Sequence, residues 1–211
     1  MKEYLTVKGA GVGKYEEKRS RFIGSVIPIS CEQEAIDFIN NVKKENFGAR
    51  HNVYAYILRE NGTTRYSDDG EPHSTAGMPT LDVLRKSNLT DVCVVVTRYF
   101  GGVLLGTGGL VRAYTAAAKA AVDNAGIVMM KPCEICSAEC SYSEVERLSR
   151  VLIENKATIK DAVYTDKVIV NFAVATSDFE PFCSKVTEAF CGKITIQNLY
   201  SDYSGVEISG F

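Results

Sequence analysis

Residues Arg98 to Tyr114 read RYFGGVLLGTGGLVRAY, five glycines set between the apolar run Asp91 to Thr97 and an alanine-rich segment. Few folds accommodate such a stretch. The apolar strand must break sharply at Gly101 and Gly102, and Gly106, Gly108 and Gly109 lead into a helix expected from Leu110 to Ala125, stopped at Gly126. Arg98 closes the strand, and Arg112 falls in the first helical turn. Loop amides, a helix N-terminus and two cations would then surround one point, which suits a phosphate or carboxylate. The same spacing also serves a tight strand-to-helix connection whose glycines only bring the helix close to a sheet. The segment is neither a Walker loop, since no Lys-Ser/Thr pair follows the last glycine, nor a dinucleotide fingerprint. Small side chains at Ala113, Ala117, Ala118 and Ala121 let the helix lie close to its sheet, and Lys119 and Asp123 can pair across one turn.

A second unusual segment, YSDDGEPHSTAGMPTL, spans Tyr66 to Leu81. Asp68, Asp69 and Glu71 crowd around Gly70, and His73, Ser74 and Thr75 follow. Three carboxylates could hold a hard cation such as magnesium, ion-pair with Arg98 or Arg112, or form turns and cap the next helix, where Pro79 suits the first helical position. If the chain is an enzyme, Asp68, Asp69 or Glu71 would supply the general base, with His73 as an alternative proton carrier. No dedicated cofactor or metal site is implied.

The string HNVYAY at His51 to Tyr56, then YSDDGEP, TAGMPTL and VVVTRYFGGVLLGTGGLVRAY, resembles the signature of the IMPACT/YigZ family over most of residues 15 to 126. The later half resembles the C-terminal domain of bacterial members. Two positions depart from the family pattern: Leu104 stands where members usually carry lysine, and Ser74 where they usually carry glycine. The resemblance implies a first domain, residues 1–131, similar to the second-domain fold of the fifth small-subunit ribosomal protein. It implies a second, residues 132–211, similar to the ferredoxin-like fifth domain of elongation factor G. Eukaryotic members are regarded as translational regulators acting on the amino-acid-starvation kinase pathway through a partner protein, which they engage with an additional N-terminal domain. These 211 residues do not include that domain, so the partnership is not carried over.

The 45% hydrophobic content supplies a core for one large or two small domains. Arg112, Lys119 and Asp123 interrupt the alanine-rich segment before it could span a bilayer, and MKEYLTVKGA lacks an apolar signal core; a cytoplasmic protein without membrane contact is expected. A net charge of −2 gives no general attraction to a polyanion, so any RNA contact must be local. Candidates are Lys18, Arg19, Arg21, Arg50 and His51. A strand starting near Arg19 would place Arg19 and Arg21 on one face, beside Glu16 and Glu17. Seven cysteines, an odd number without an export signal, indicate thiols rather than a disulfide framework. Cys133, Cys136 and Cys140 fall in a strand-like segment, where residues three apart face opposite sides and do not converge on zinc.

The element pattern indicates an α+β protein of two domains. Ser30 and Gln33 form a capping-box pattern, Asn61-Gly62 marks a hairpin, and Pro132 a linker. Strand Glu134 to Cys140, helix Glu144 to Asn155, strands Thr158 to Tyr164 and Val168 to Ala175, helix Asp178 to Phe190 and strand Lys193 to Tyr200 spell a ferredoxin-like βαββαβ order. Ser143 with Glu146, and Ser177 with Glu180, are its capping boxes. Three functional classes follow: a translation-associated protein gripping RNA, the ribosome or a translation factor; a metal-dependent enzyme acting on a nucleotide or phosphorylated small molecule; and a protein-interaction module. Oligomeric state is not legible.

Overall fold

The computed structural model describes residues 2–207. Two compact units form, Tyr4–Met129 and Met130–Val206. The first contains β1 (Tyr4–Val7), β2 (Gly11–Glu17), β3 (Ser20–Pro28), α1 (Glu32–Glu45), β4 (His51–Ile57), β5 (Thr64–Ser67), α2 (Gly77–Lys86), β6 (Val92–Tyr99) and α3 (Gly106–Ala125). Its sheet has the order β2-β3-β6-β4-β5, with antiparallel neighbours throughout. Strand β6 is buried along almost its whole length because both faces are covered. Val92, Val94 and Val96 join the core beneath α2 and α3, while Cys93 and Val95 join the one beneath α1. The apolar run DVCVVV is thus a central strand with period-2 neighbours on two sides.

Alanine on α3 meets glycine on the sheet. A Cβ at Gly13 would stand 2.3 Å from the Ala121 amide nitrogen, and one at Gly24 2.4 Å from the Ala117 carbonyl oxygen. Ala113, Ala117, Ala118 and Ala121 are fully buried there. This close approach fixes where the helix begins, and hence where its amides point.

Several local expectations are corrected. Lys18 and Arg19 do not open a strand; at φ 45° and 67° they form the turn of a β2–β3 hairpin, so Arg19 and Arg21 do not share a strand face. Lys-Arg lacks the Asn-Gly chemistry that advertises such a turn. Asn61-Gly62, which has it, does join antiparallel β4 and β5, at φ 55° and 61°. Helix α3 starts at Gly106 rather than Leu110, which puts Gly106, Gly108 and Gly109 inside its first turn. Pro79 is the third residue of α2, not the first. At α1 the contact runs one way, from Ser30 to Glu34, whose carboxylate accepts the Ser30 amide at 2.6 Å and hydroxyl at 2.9 Å; Gln33 instead donates to Asp37.

The second unit contains most of β7 (Ile127–Cys140), then α4 (Val145–Glu154), β8 (Thr158–Tyr164), β9 (Val168–Ala175), α5 (Phe179–Ala189) and β10 (Ile196–Glu207). That is the βαββαβ order, with β7 beside β9, β9 beside β8, and β10 on β7. Pro132 lies inside β7 rather than in a linker. Before α4, Ser141 donates its amide and hydroxyl to the carboxylate of Glu144, the N-cap residue, in place of the expected Ser143 and Glu146 pair, and α5 has no side-chain cap bond at its N-cap Asp178. Leu148, Leu152, Phe172, Phe182 and Val186 centre the core. No helix among the described residues is long and apolar enough to cross a membrane.

Candidate functional site

The acidic segment is anchored mostly by its own backbone demands. Asp68 Oδ1 accepts the amides of Ala76 and Gly77 at 3.1 and 2.8 Å, and Oδ2 that of Ser74 at 2.9 Å, so this carboxylate caps α2 across the loop. Asp69 accepts the Asn52 amide at 2.7 Å and the Lys43 ammonium at 3.0 Å, tying the loop to the start of β4. Ser74 holds φ 59°, a left-handed conformation that favours glycine. His73 is exposed at the surface. Asp68 and Asp69 are therefore both engaged, and the described residues contain no group of three or more His, Cys, Asp or Glu side chains placed to hold a metal ion.

Glu71 turns inward. Its Oε1 accepts Arg98 Nη1 at 2.6 Å and the Tyr114 hydroxyl at 2.8 Å, with the Glu71 and Arg98 side chains only 3% and 6% exposed. The guanidinium lies 5.5 Å from the centroids of both Phe22 and Phe100. Burial first, and the Glu71 charge second, push the Tyr114 phenol well above its usual range, so it stays a donor. His51 stands beside this group: its Nδ1 donates to the Asp69 carbonyl at 2.8 Å, and its Nε2 is 3.9 Å from Glu71 Oε1. Fixing Nδ1–H sets the ring so that Nε2 faces the carboxylate side.

The two unusual segments do converge. They wall one cleft of about 360 Å³, lined by Arg50, His51, Gly70, Glu71, Pro72, Arg98 and Phe100, and closed by Leu104, Leu105, Gly106, Thr107 and Leu110. Arg98 lines it with its charge balanced by Glu71. Gly106 and Thr107, first in α3, bring amides that have no intrahelical acceptor, and no side chain caps them. Gly101, Gly102, Gly108, Gly109 and Arg112 are not in the lining. Arg112 reaches out toward Glu17 at 3.6 Å. Gly101 serves the hairpin instead: a Cβ there would lie 2.1 Å from the Arg19 carbonyl carbon, so the glycine loop seats the β2–β3 tip. Ser20 Oγ accepts the Gly101 amide at 3.1 Å.

That seating gathers cations around the loop. Arg21 lies 5.0 Å over the Tyr99 ring and Arg50 5.8 Å over Phe100, while Lys18 and Arg19 sit at the adjoining hairpin tip; all four are exposed. Exposed apolar groups stand among them, with Phe100 at 40% and Leu104 at 82%. Tyr114, Phe100, Lys43 and Asn52 were not expected at the site. A buried tyrosine sixteen residues beyond Arg98 carries no signal in spacing, whereas Phe100, inside the glycine motif, could have been read as an exposed ring.

Residues 18–122 match the Impact N-terminal domain, and residues 139–193 match a domain of unknown function, DUF1949. The chain is 38% identical over 195 residues to the IMPACT family member YvyE of Bacillus subtilis, covering 92% of this chain and 90% of that one. It is 30% identical over 198 residues to the IMPACT family member YigZ of Escherichia coli, covering 92% and 97%. A crystal structure described as that of a hypothetical protein superposes with a TM-score of 0.61 at 28% identity, covering 95% of this chain and 98% of that one. The protein belongs to the IMPACT family.

Proposed function

We propose that this protein is a translation-associated regulator that binds single-stranded RNA, on or off the ribosome, through the basic end of its first unit. One observation carries the reading: Arg50 is exposed beside the solvent-facing Phe100 at a cleft that offers uncapped helix amides, and Lys18, Arg19 and Arg21 are exposed at the adjoining end of the sheet. Cations track a phosphate backbone, and an exposed ring gives an unpaired base a surface to stack on. A net charge of −2 confines that attraction to this end. In this reading the first unit has the second-domain fold of the fifth small-subunit ribosomal protein. The second has the ferredoxin-like fold of the fifth domain of elongation factor G, supported by its βαββαβ order, and the protein works in the cytoplasm without a metal cofactor.

The test is fluorescence anisotropy with a single-stranded RNA, together with co-sedimentation on ribosomes at low salt. Binding should weaken with salt, and an Arg21→Ala, Arg50→Ala double variant should flatten the slope by about 0.7 for each phosphate no longer neutralised. Absence of RNA and ribosome binding at low salt removes the reading.

A further inference from the structure

We propose that the cleft between the acidic segment and the start of α3 is a phosphomonoester site for a nucleotide: a free nucleoside monophosphate or the phosphorylated end of an RNA strand. The assignment rests on the RNA-binding reading above and narrows it from a strand to a chain terminus.

Three observations converge. At about 360 Å³ the cleft is near the lower end of the range for small-molecule sites, roughly 300–1,000 Å³, so it holds one compact ligand rather than a run of strand. Its lining joins polar and apolar groups. The Gly106 and Thr107 amides, the Thr107 hydroxyl, the Arg50 guanidinium and the His51 ring come from two separate segments, while Phe100, Leu104, Leu105 and Leu110 form apolar wall. A monoester brings three terminal oxygens and up to two charges to such a set, whereas an internal diester has two free oxygens and must leave the cleft in both directions. The third observation is independent of the helix. Arg98, 95% buried in the cleft wall, engages Glu71 through Nη1 and leaves its Nε without a hydrogen-bond partner. Buried polar groups ordinarily have partners, so this guanidinium, charge-balanced by Glu71, keeps unused donor capacity in the cleft wall. The Glu71 carboxylate beside it is already compensated by Arg98 and the Tyr114 hydroxyl, which leaves Arg50 and the helix amides as uncancelled positive potential.

The experiment measures binding of the full chain to two single-stranded RNAs of one sequence, with a 5′-phosphate or a 5′-hydroxyl, and to a nucleoside 5′-monophosphate. The phosphorylated strand should bind about tenfold tighter, and the monophosphate should compete that gain away. Thr107→Asp places a carboxylate at the helix start, which favours the helix while repelling a phosphate; it should make the two strands bind alike, with circular dichroism unchanged. Equal binding of both strands by the unaltered protein, with no monophosphate binding, overturns the cleft assignment and leaves strand binding standing. Monophosphate binding that Thr107→Asp abolishes, without binding of either strand, supports the cleft with a free nucleotide as its ligand and removes the RNA reading.

Discussion

The first unit covers both faces of its sheet with helices, whereas the second leaves strand β8 largely exposed, and the two treat buried charge differently as a result. In the first, Arg98 and Glu71 are enclosed as an ion pair beside the cleft. In the second, Glu134 is buried against neutral donors alone: Ser201 Oγ at 2.7 Å, Thr176 Oγ1 at 2.9 Å and Asn198 Nδ2 at 3.0 Å. A salt bridge out of water needs both partners, because either one alone is strongly unfavourable. A carboxylate among hydroxyls and an amide tolerates change more gently. Buried charge is thus met by an opposite charge in the first unit and, at Glu134, by neutral donors in the second.

The largest expected effect strikes the ion pair. Glu71→Ala strands a buried guanidinium and should destabilise the first unit by about 3–5 kcal/mol, read as a fall in its denaturant midpoint with the second unit's transition unmoved. If Glu71→Ala costs less than about 1 kcal/mol, the pair is solvated and the contrast between the units fails. A Glu71→Ala, Arg98→Met double variant should recover much of the deficit, because it removes both charges and keeps bulk between Phe22 and Phe100.

Why the cleft was only half legible in the sequence follows from the same pair. Spacing brought Arg98 and the glycine loop to one point, and the convergence with the acidic segment holds. An ion pair with Arg98 or Arg112 is open to all three carboxylates in the sequence, and the choice of Glu71 for Arg98 depends on β4 and β6 setting His51 opposite Arg98 across a sheet. Capping of the next helix is one reading of the three carboxylates, and Asp68 takes that role; spacing does not single it out because a helix cap normally sits next to its helix, and this one reaches Ala76 and Gly77 across a loop. In the second unit periodicity sufficed: β8 and β9 have the limits read from the sequence, because alternation and flanking turns are local. The β2–β3 hairpin escaped because its two-residue loop requires positive φ at both positions, and Lys18 and Arg19 are not residues that signal such a turn.

A smaller effect tests the buried Glu134 of the second unit. Hydrogen bonds from Ser201, then Asn198, hold the Glu134 carboxyl below its usual range despite burial. A depressed folded pKa means that its contribution is fully present above the unfolded value, about 4.3, and is lost as pH falls through the folded one. Melting of the second unit should thus lose stability on acidification below about pH 4.3. Glu134→Gln should flatten that acid limb and lower neutral stability by about 1–3 kcal/mol, because its amide cannot accept all three bonds. An acid limb unchanged in Glu134→Gln would assign it to other carboxylates.

The smallest effect has the opposite sign. Gly13 and Gly24 are held to glycine by the α3 backbone, so alanine at either should overpack. Gly108, within the first turn of α3, is under no such demand: a Cβ there would meet only Arg112 Nη1, at 3.8 Å, and its φ is not positive. Alanine propagates a helix better than glycine by about 0.8–1 kcal/mol, so Gly108→Ala should stabilise the first unit by up to that amount, measured by thermal melting. Packing then gives no reason for glycine at this position, and Gly108 lies outside the cleft lining. With Gly106 and Thr107 as the residues of α3's first turn that line the cleft beside Leu110, Gly108→Ala should raise the melting temperature and leave nucleoside monophosphate binding untouched; weakened binding would extend the site beyond that lining.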